Sequence, residues 1–129
     1  MAKARKPLVA INVTRGVRLT ECGRVADTFY TRLVGLLNDK HPLEFGDGLW
    51  LVPCNSIHCF GMRFTIDAVF LDKNLQVVHL VRGIKPWRIS KIVFSAHSVL
   101  ELPAGMIDQT ATELGDQFEM RREIFQAIR

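Results

Sequence analysis

Along most of this chain, apolar and β-branched residues come in short runs broken by turn formers, and one stretch changes to a clear helical period. The runs at 8–13 and 17–19 flank Thr14, Arg15 and Gly16, which predicts a hairpin, and 24–28 continues as strand. From Thr28 the period lengthens: Phe29, Leu33, Leu36 and Leu37 recur at i, i+4, i+7 and i+8, one face of a short helix. Thr28 is its expected N-cap, and Asn38 and Asp39 its stop. His41, Pro42 and the stretch 44–48, with Gly46 and Gly48, form a loop. The apolar run 48–52 reads as a central strand. Two β-branched runs, 66–71 and 75–81, surround Asp72, Lys73 and Asn74, which is the pattern of a tight hairpin.

Beyond it, Gly83 and Pro86 exclude a long regular element over 82–88. Short strands follow near 91–94 and at 98–102. Pro103 stands where a first helical residue would, so a helix is expected to run through Leu114 until Gly115 ends it. A strand at 116–120 and a short helix or tail at 121–129 complete the series. These elements imply an α+β fold: a mainly antiparallel, barrel-like β-sheet with two or three short helices in a single compact domain.

Length and composition agree with one self-sufficient domain. A chain of 129 residues buries enough surface to need no disulfide staples. With 48% hydrophobic and 23% charged residues it is too apolar for disorder. The basic start MAKARK resembles the first part of a signal peptide, but the apolar stretch 8–11 stops at Asn12, too soon for an export signal. No window approaches a membrane-spanning length. Three cysteines, an odd number, fit reduced thiols and a cytoplasmic location.

Charge changes the picture more by its distribution than by its sum. Residues 1–20 carry five basic groups and no acid; residues 73–100 carry Lys73, Arg82, Lys85, Arg88 and Lys91, again with no acid. If the two segments meet in space they make a basic face for an anionic partner. Otherwise they are solvated loops and a basic arm at residues 1–7. Within 82–91, Trp87 among cations has the makings of a single-strand nucleic-acid contact, or of a core cap stacked under Arg88.

The densest chemistry lies in PCNSIHCFGMRFTID, residues 53–67. Cys54, His58 and Cys59 lack the second ligand cluster that zinc needs, while Cys22, His41, His79 and His97 are scattered, so neither metal nor cofactor is expected. In an extended chain Cys54 and His58 stand about 13 Å apart, and His58 and Cys59 point to opposite faces. A local thiol–imidazole pair is thereby disfavoured. Asp67 alternates onto the face of Val69 and Leu71, so its carboxylate must be buried and paired, with Arg63 or Arg32 as its natural partner. Glu101 alternates with Val99 and is also expected to be half-buried. Arg32, His58, Arg63, Asp67 and Glu101 are thus the candidate polar cluster, either a small-ligand site or a structural network.

Three motifs in order, TFYTRLVGLL (28–37), PCNSIHCFGMRFTIDAVFLD (53–72) and VLELPAG (99–105) followed by LGD (114–116), resemble domain-of-unknown-function family 192, also called uncharacterised protein family 0127. The resemblance spans about residues 15–120. It implies a small single-domain protein of bacteria or archaea, here read as bacterial, with a compact α+β fold and no settled activity. Arg32, Gly35, His58, Met62, Ile66, Asp67, Glu101, Pro103, Gly105 and Asp116 match its motif positions. Many members look exported, which this sequence does not, and the IHCFGMR variant looks like a subgroup found beside pilus-assembly genes. A secretion- or pilus-related partner is what that resemblance implies.

Three functions follow as expectations. The first is a non-catalytic binding or accessory module whose basic face, Arg82, Lys85, Trp87, Arg88 and Lys91, meets an anionic protein or ligand. The second is a hydrolase-like enzyme centred on His58, Asp67 and a cysteine. The third is single-stranded nucleic-acid binding through 82–91. No nucleophile-elbow, P-loop or dinucleotide fingerprint points to a common enzyme class.

Overall fold

A computed structural model describes residues 6–28, 31–32, 42–57 and 63–122. Its strands are β1 (Leu8–Asn12), β2 (Val17–Arg18), β3 (Arg24–Ala26), β4 (Leu49–Leu51), β5 (Ile66–Leu71), β6 (Val77–Ile84), β7 (Ser98–Pro103) and β8 (Phe118–Arg122), with a four-residue helix α1 (Met106–Gln109) between the last two. They form a three-stranded sheet, β2-β1-β8, and a five-stranded sheet, β3-β4-β7-β5-β6. Together these make a curled half-barrel.

The sheet is mixed, because β3 runs parallel to β4 while the other pairings are antiparallel. The cause is the course of residues 17–26. This length of chain lies antiparallel to β1 at Arg18 and Val17, then crosses to the larger sheet as β3. At the crossing Leu8 and Gly23 exchange backbone hydrogen bonds of 2.8 and 3.0 Å. Thr20 fills the break in the ladder: its hydroxyl accepts from the Ala10 N–H at 3.0 Å and donates to the Leu8 carbonyl at 2.9 Å. The Gly48 backbone packs so closely on the Thr20 side chain that a Cβ on Gly48 would lie 2.6 Å from Thr20 Cγ2. At the opposite margin a bridge between Gln76 and Gln117 joins the sheets again.

Both faces of the large sheet are apolar. Val69, Leu71, Leu100 and Leu102 face the small sheet and pack with Leu8, Ala10, Leu19 and Phe118, together with Met106 and Ile107 of α1. Ile66, Ala68, Phe70 and Val99 face the other way, against Leu43, Ile57, Phe64 and Val93. Hence β5 and β7 are buried along their whole length, as strands in the middle of two cores must be.

Most expected elements stand. The two hairpins form at β1–β2 and β5–β6, and β4 is interior to its sheet. Thr28 caps as expected: its Oγ1 accepts the Thr31 N–H at 3.1 Å, Thr31 Oγ1 accepts the Thr28 N–H at 3.0 Å, and Thr31 and Arg32 are helical. The remainder of the expected helix, residues 1–5 of the expected arm at 1–7 and residues 123–129 of the expected tail at 121–129 lie outside the described residues, while Arg121 and Arg122 of that tail belong to β8.

Three expectations are corrected. Residues 91–94 form no strand, because the Ala96 N–H turns back to the Val93 carbonyl at 2.9 Å. β6 continues to Ile84 through Gly83, which adopts φ 64°. Pro103 ends β7 instead of starting a helix, and α1 spans only four residues. Thr110 Oγ1 takes the Met106 carbonyl at 2.8 Å and Ala111 then turns left-handed at φ 54°, so the helix cannot continue to Leu114.

Candidate functional site

Asp67 sits on β5, 1% exposed, on the face of Val69 and Leu71 that alternation assigns it. Its partners are backbone groups, not the expected Arg63 or Arg32. Oδ1 accepts the Gly83 N–H at 2.9 Å, and Oδ2 accepts the N–H groups of Gly105 at 3.1 Å and Ile107 at 2.9 Å. The β5–β6 register slips between Ile66 and Ala68, and Gly83 forms the bulge that turns its N–H inward. Gly105, at φ 94°, precedes α1 and has no side chain with which to cap it. One carboxylate thus fastens the bulge and supplies the cap from another strand.

Glu101 is 3% exposed on β7, and it pairs with Ala68 and Leu49, residues of the outer core. Asp67 pairs instead with Leu102 of the inner core. The two acids therefore face opposite sides of one sheet, and the expected polar cluster divides between them. Cys54 packs on the same side as Glu101, and the charges of Glu101 and Arg32 both act on its thiol. The Arg32 guanidinium reaches towards the Val52 carbonyl at 3.5 Å. Arg63 is exposed at the surface, and His58, Cys59 and Met62 lie outside the described residues.

Cys54 follows the cis Val52–Pro53 peptide and packs half-buried on the outer core. Its Sγ donates to the Ser56 carbonyl at 2.9 Å, and its N–H to the His97 carbonyl at 2.8 Å. Burial pushes the thiol pKa up and the charge of Glu101 adds to this, outweighing the backbone hydrogen bond at Ser56 and the charge of Arg32. Such a cysteine holds its proton, the opposite of an activated nucleophile. Together with Pro53, Asn55, Ala96 and His97 it borders a shallow cleft of about 230 Å³. Among the described residues no group of three His, Cys, Asp or Glu side chains is placed to hold a metal. His79 stacks edge-on against Phe70 with ring centroids 5.3 Å apart, and burial, helped by the charge of Lys91, lowers its pKa.

A polar network that the sequence did not suggest surrounds Asp116, which the sequence places at the start of a strand. Arg15 donates Nε to its Oδ2 at 3.0 Å and a terminal nitrogen to its Oδ1 at 3.2 Å; Asn12 Nδ2 donates at 2.9 Å and the Glu113 N–H at 3.0 Å. Burial would raise the Asp116 pKa, but these hydrogen bonds and the charge of Arg15 hold it at about 2 instead of 3.8. Arg15 is thereby occupied and leaves the N-terminal share of the basic face. The advance signal was that Asp116 matches a motif position of the family the chain resembles, which says nothing of its partners.

The remaining cations lie where the sequence left them. Arg82 is ion-paired with Asp108 at 2.8 Å on the surface. Lys85, Arg88 and Lys91 are exposed, and Trp87 is 66% exposed. Their segment, 85–97, has no regular structure, yet it is fixed. The Ser90 N–H donates to the Ile57 carbonyl at 2.8 Å, the Ile57 N–H to Ser90 Oγ at 2.9 Å, and the Val93 N–H to the Asn55 carbonyl at 2.9 Å. Sequence reasoning missed the apolar members of this surface, Ile89, Ile92 and Phe94, which are 64, 55 and 89% exposed. Lack of strict alternation around Lys91 was the available clue.

Comparison with known proteins places this geometry among relatives. The model of the DUF192 family, described as uncharacterized, matches residues 11–120. A UPF0127 protein of Thermococcus sibiricus is 36% identical over 121 residues, covering 88% of this chain and 75% of that one. A UPF0127 protein of Pyrococcus furiosus is 35% identical over 116 residues, covering 88% and 99%. These relatives are archaeal, so a purely bacterial reading is too narrow. Among solved structures, a protein of unknown function from Novosphingobium aromaticivorans superposes with a TM-score of 0.75 at 18% identity, covering 88% of this chain and 83% of that one. A putative transcription regulator from Sinorhizobium meliloti superposes with a TM-score of 0.75 at 16% identity, covering 93% and 96%. At such identities the likeness concerns the fold alone. No helix among the described residues is long and apolar enough to cross a membrane.

Proposed function

The chain belongs to the uncharacterised DUF192 family, and from that premise we propose that it is a non-catalytic binding or accessory module whose basic face, Lys85, Trp87, Arg88 and Lys91 with Arg82 at its margin, meets an anionic partner. One observation carries the reading: three cations stand exposed on a tethered segment, within a stretch from 73 to 100 that contains no acid. Such a surface attracts negative charge over distances of several ångströms. The candidates for chemistry point the same way, since Asp67 spends its lone pairs on backbone N–H groups and Cys54 holds its proton.

Single-stranded nucleic acid is the second reading, favoured by the exposed indole of Trp87 between Lys85 and Arg88. The Sinorhizobium neighbour shares the fold and lends this second reading no weight. To test the main reading, isotope-labelled protein is titrated with inorganic polyphosphate while backbone amide shifts are followed. Shifts should cluster over residues 82–94, with an affinity that falls steeply as salt rises. Shifts confined to the cleft at Cys54 and His97, or none at low salt, would overturn it.

A further inference from the structure

We propose that the anionic partner is a phospholipid membrane surface, and that the segment 85–94 docks on it by setting Trp87, Ile89, Ile92 and Phe94 into the headgroup boundary while Lys85, Arg88 and Lys91 bind the phosphates. This inference rests on the anionic-partner reading and deepens it. Four large apolar side chains, between 55 and 89% exposed, fall within eight residues of one another on the same segment as the cations. Solvent-facing apolar groups gathered in this way mark an interaction surface.

Their chemistry selects the occupant. Ile89 and Ile92 have no π-face on which a base could stack, so nucleic acid would leave half of the apolar surface unused. A bilayer boundary accepts aliphatic side chains, favours tryptophan at headgroup depth and, where its lipids are anionic, holds lysine and arginine beside them. The form of the segment agrees. Phe94, at 89% exposure, stands on the turn closed by Ala96 N–H to the Val93 carbonyl, while Val93 itself is buried. An exposed apolar tip flanked in the chain by exposed cations needs no matching concavity in a fluid interface, whereas a protein partner must supply one. Anchoring at Ile57, Ser90, Asn55 and Val93 also means that little order remains to be imposed when the segment docks.

The test is co-sedimentation of the full chain with vesicles of phosphatidylcholine alone and of phosphatidylcholine with 30% phosphatidylglycerol, run beside polyphosphate and a short single-stranded DNA. Two variants accompany it, Lys85→Glu/Lys91→Glu and Ile92→Ser/Phe94→Ser, each first checked for native amide spectra. Binding is expected to the anionic vesicles only. The charge variant should lose it by more than about twentyfold, since each neutralised cation is worth about fivefold and reversal adds to that. The apolar variant should lose vesicle binding by at least tenfold yet keep its polyphosphate binding, a separation that a purely electrostatic face would not give. Equal binding to neutral vesicles, or anionic binding undiminished in the apolar variant, would overturn the lipid assignment. Binding to polyphosphate or DNA but not to the anionic vesicles would overturn it too and leave the anionic-partner reading standing. Binding to none of the probes would overturn both.

Discussion

Asp67 and Asp116 are both buried carboxylates, and they are held in opposite ways. Asp67 lies between two sheets and, among the described residues, accepts only from backbone N–H groups. Asp116 stands where the β1–β2 turn meets the start of β8 and depends on two side chains, Arg15 and Asn12, the first of which reaches it from the surface. The difference separates a fastening built into the chain path from one assembled by side chains. The first is undone by substitution of one residue, while the second also answers to mutation of its side-chain partners and to salt.

The sharpest way to break this contrast is Asp67→Ala. Three N–H groups lose their acceptor at once around a buried side chain, so the variant should lose about 3 kcal/mol or more in urea unfolding. A loss below about 1 kcal/mol would mean that water or a repacked group replaces the carboxylate without difficulty. Acid gives the next largest effect. The folded pKa of Asp116 is depressed to about 2 from 3.8, so its contribution is complete above about pH 5 and declines as pH falls through 3.8 towards 2. Because its main partner is at the surface, we expect a contribution on the order of 1–2 kcal/mol, weakened by salt. Comparing urea midpoints of the wild type and Asp116→Asn between pH 5 and pH 2 isolates it; parallel curves would remove the ion pair from the account. The smallest effect belongs to Arg82→Ala. Its ion pair with Asp108 joins side chains that are 52 and 75% exposed, and stability should move by no more than about 0.5 kcal/mol.

Legibility in the sequence followed the same division. Hairpins were readable because β-branched runs and a polar turn lie next to each other, and the face of Asp67 was readable because strands alternate with a fixed period. Its partners were not, since the N–H groups of Gly83, Gly105 and Ile107 leave no mark on residue identity. Nor could spacing reveal that Asp67 and Glu101 face apart, because that depends on the register of β5 against β7. Pro103 and Gly115 stand in sequence like the two ends of a helix; Thr110 and Ala111 end it early through a side-chain hydrogen bond and a left-handed turn that helical propensity does not register. The cations of 85–91 were visible as composition, while the exposure of Ile92 and Phe94 depended on which neighbour, Val93, the fold buried.

Residues 17–26, which begin beside β1 and end beside β4, give the molecule a shared seam. Neither sheet owns this length of chain, so neither can peel away while the other keeps its edge. Amide protons on both sides of the crossing at Leu8 and Gly23 should accordingly exchange through one common opening, as in a cloth whose two panels are joined by a single continuous thread.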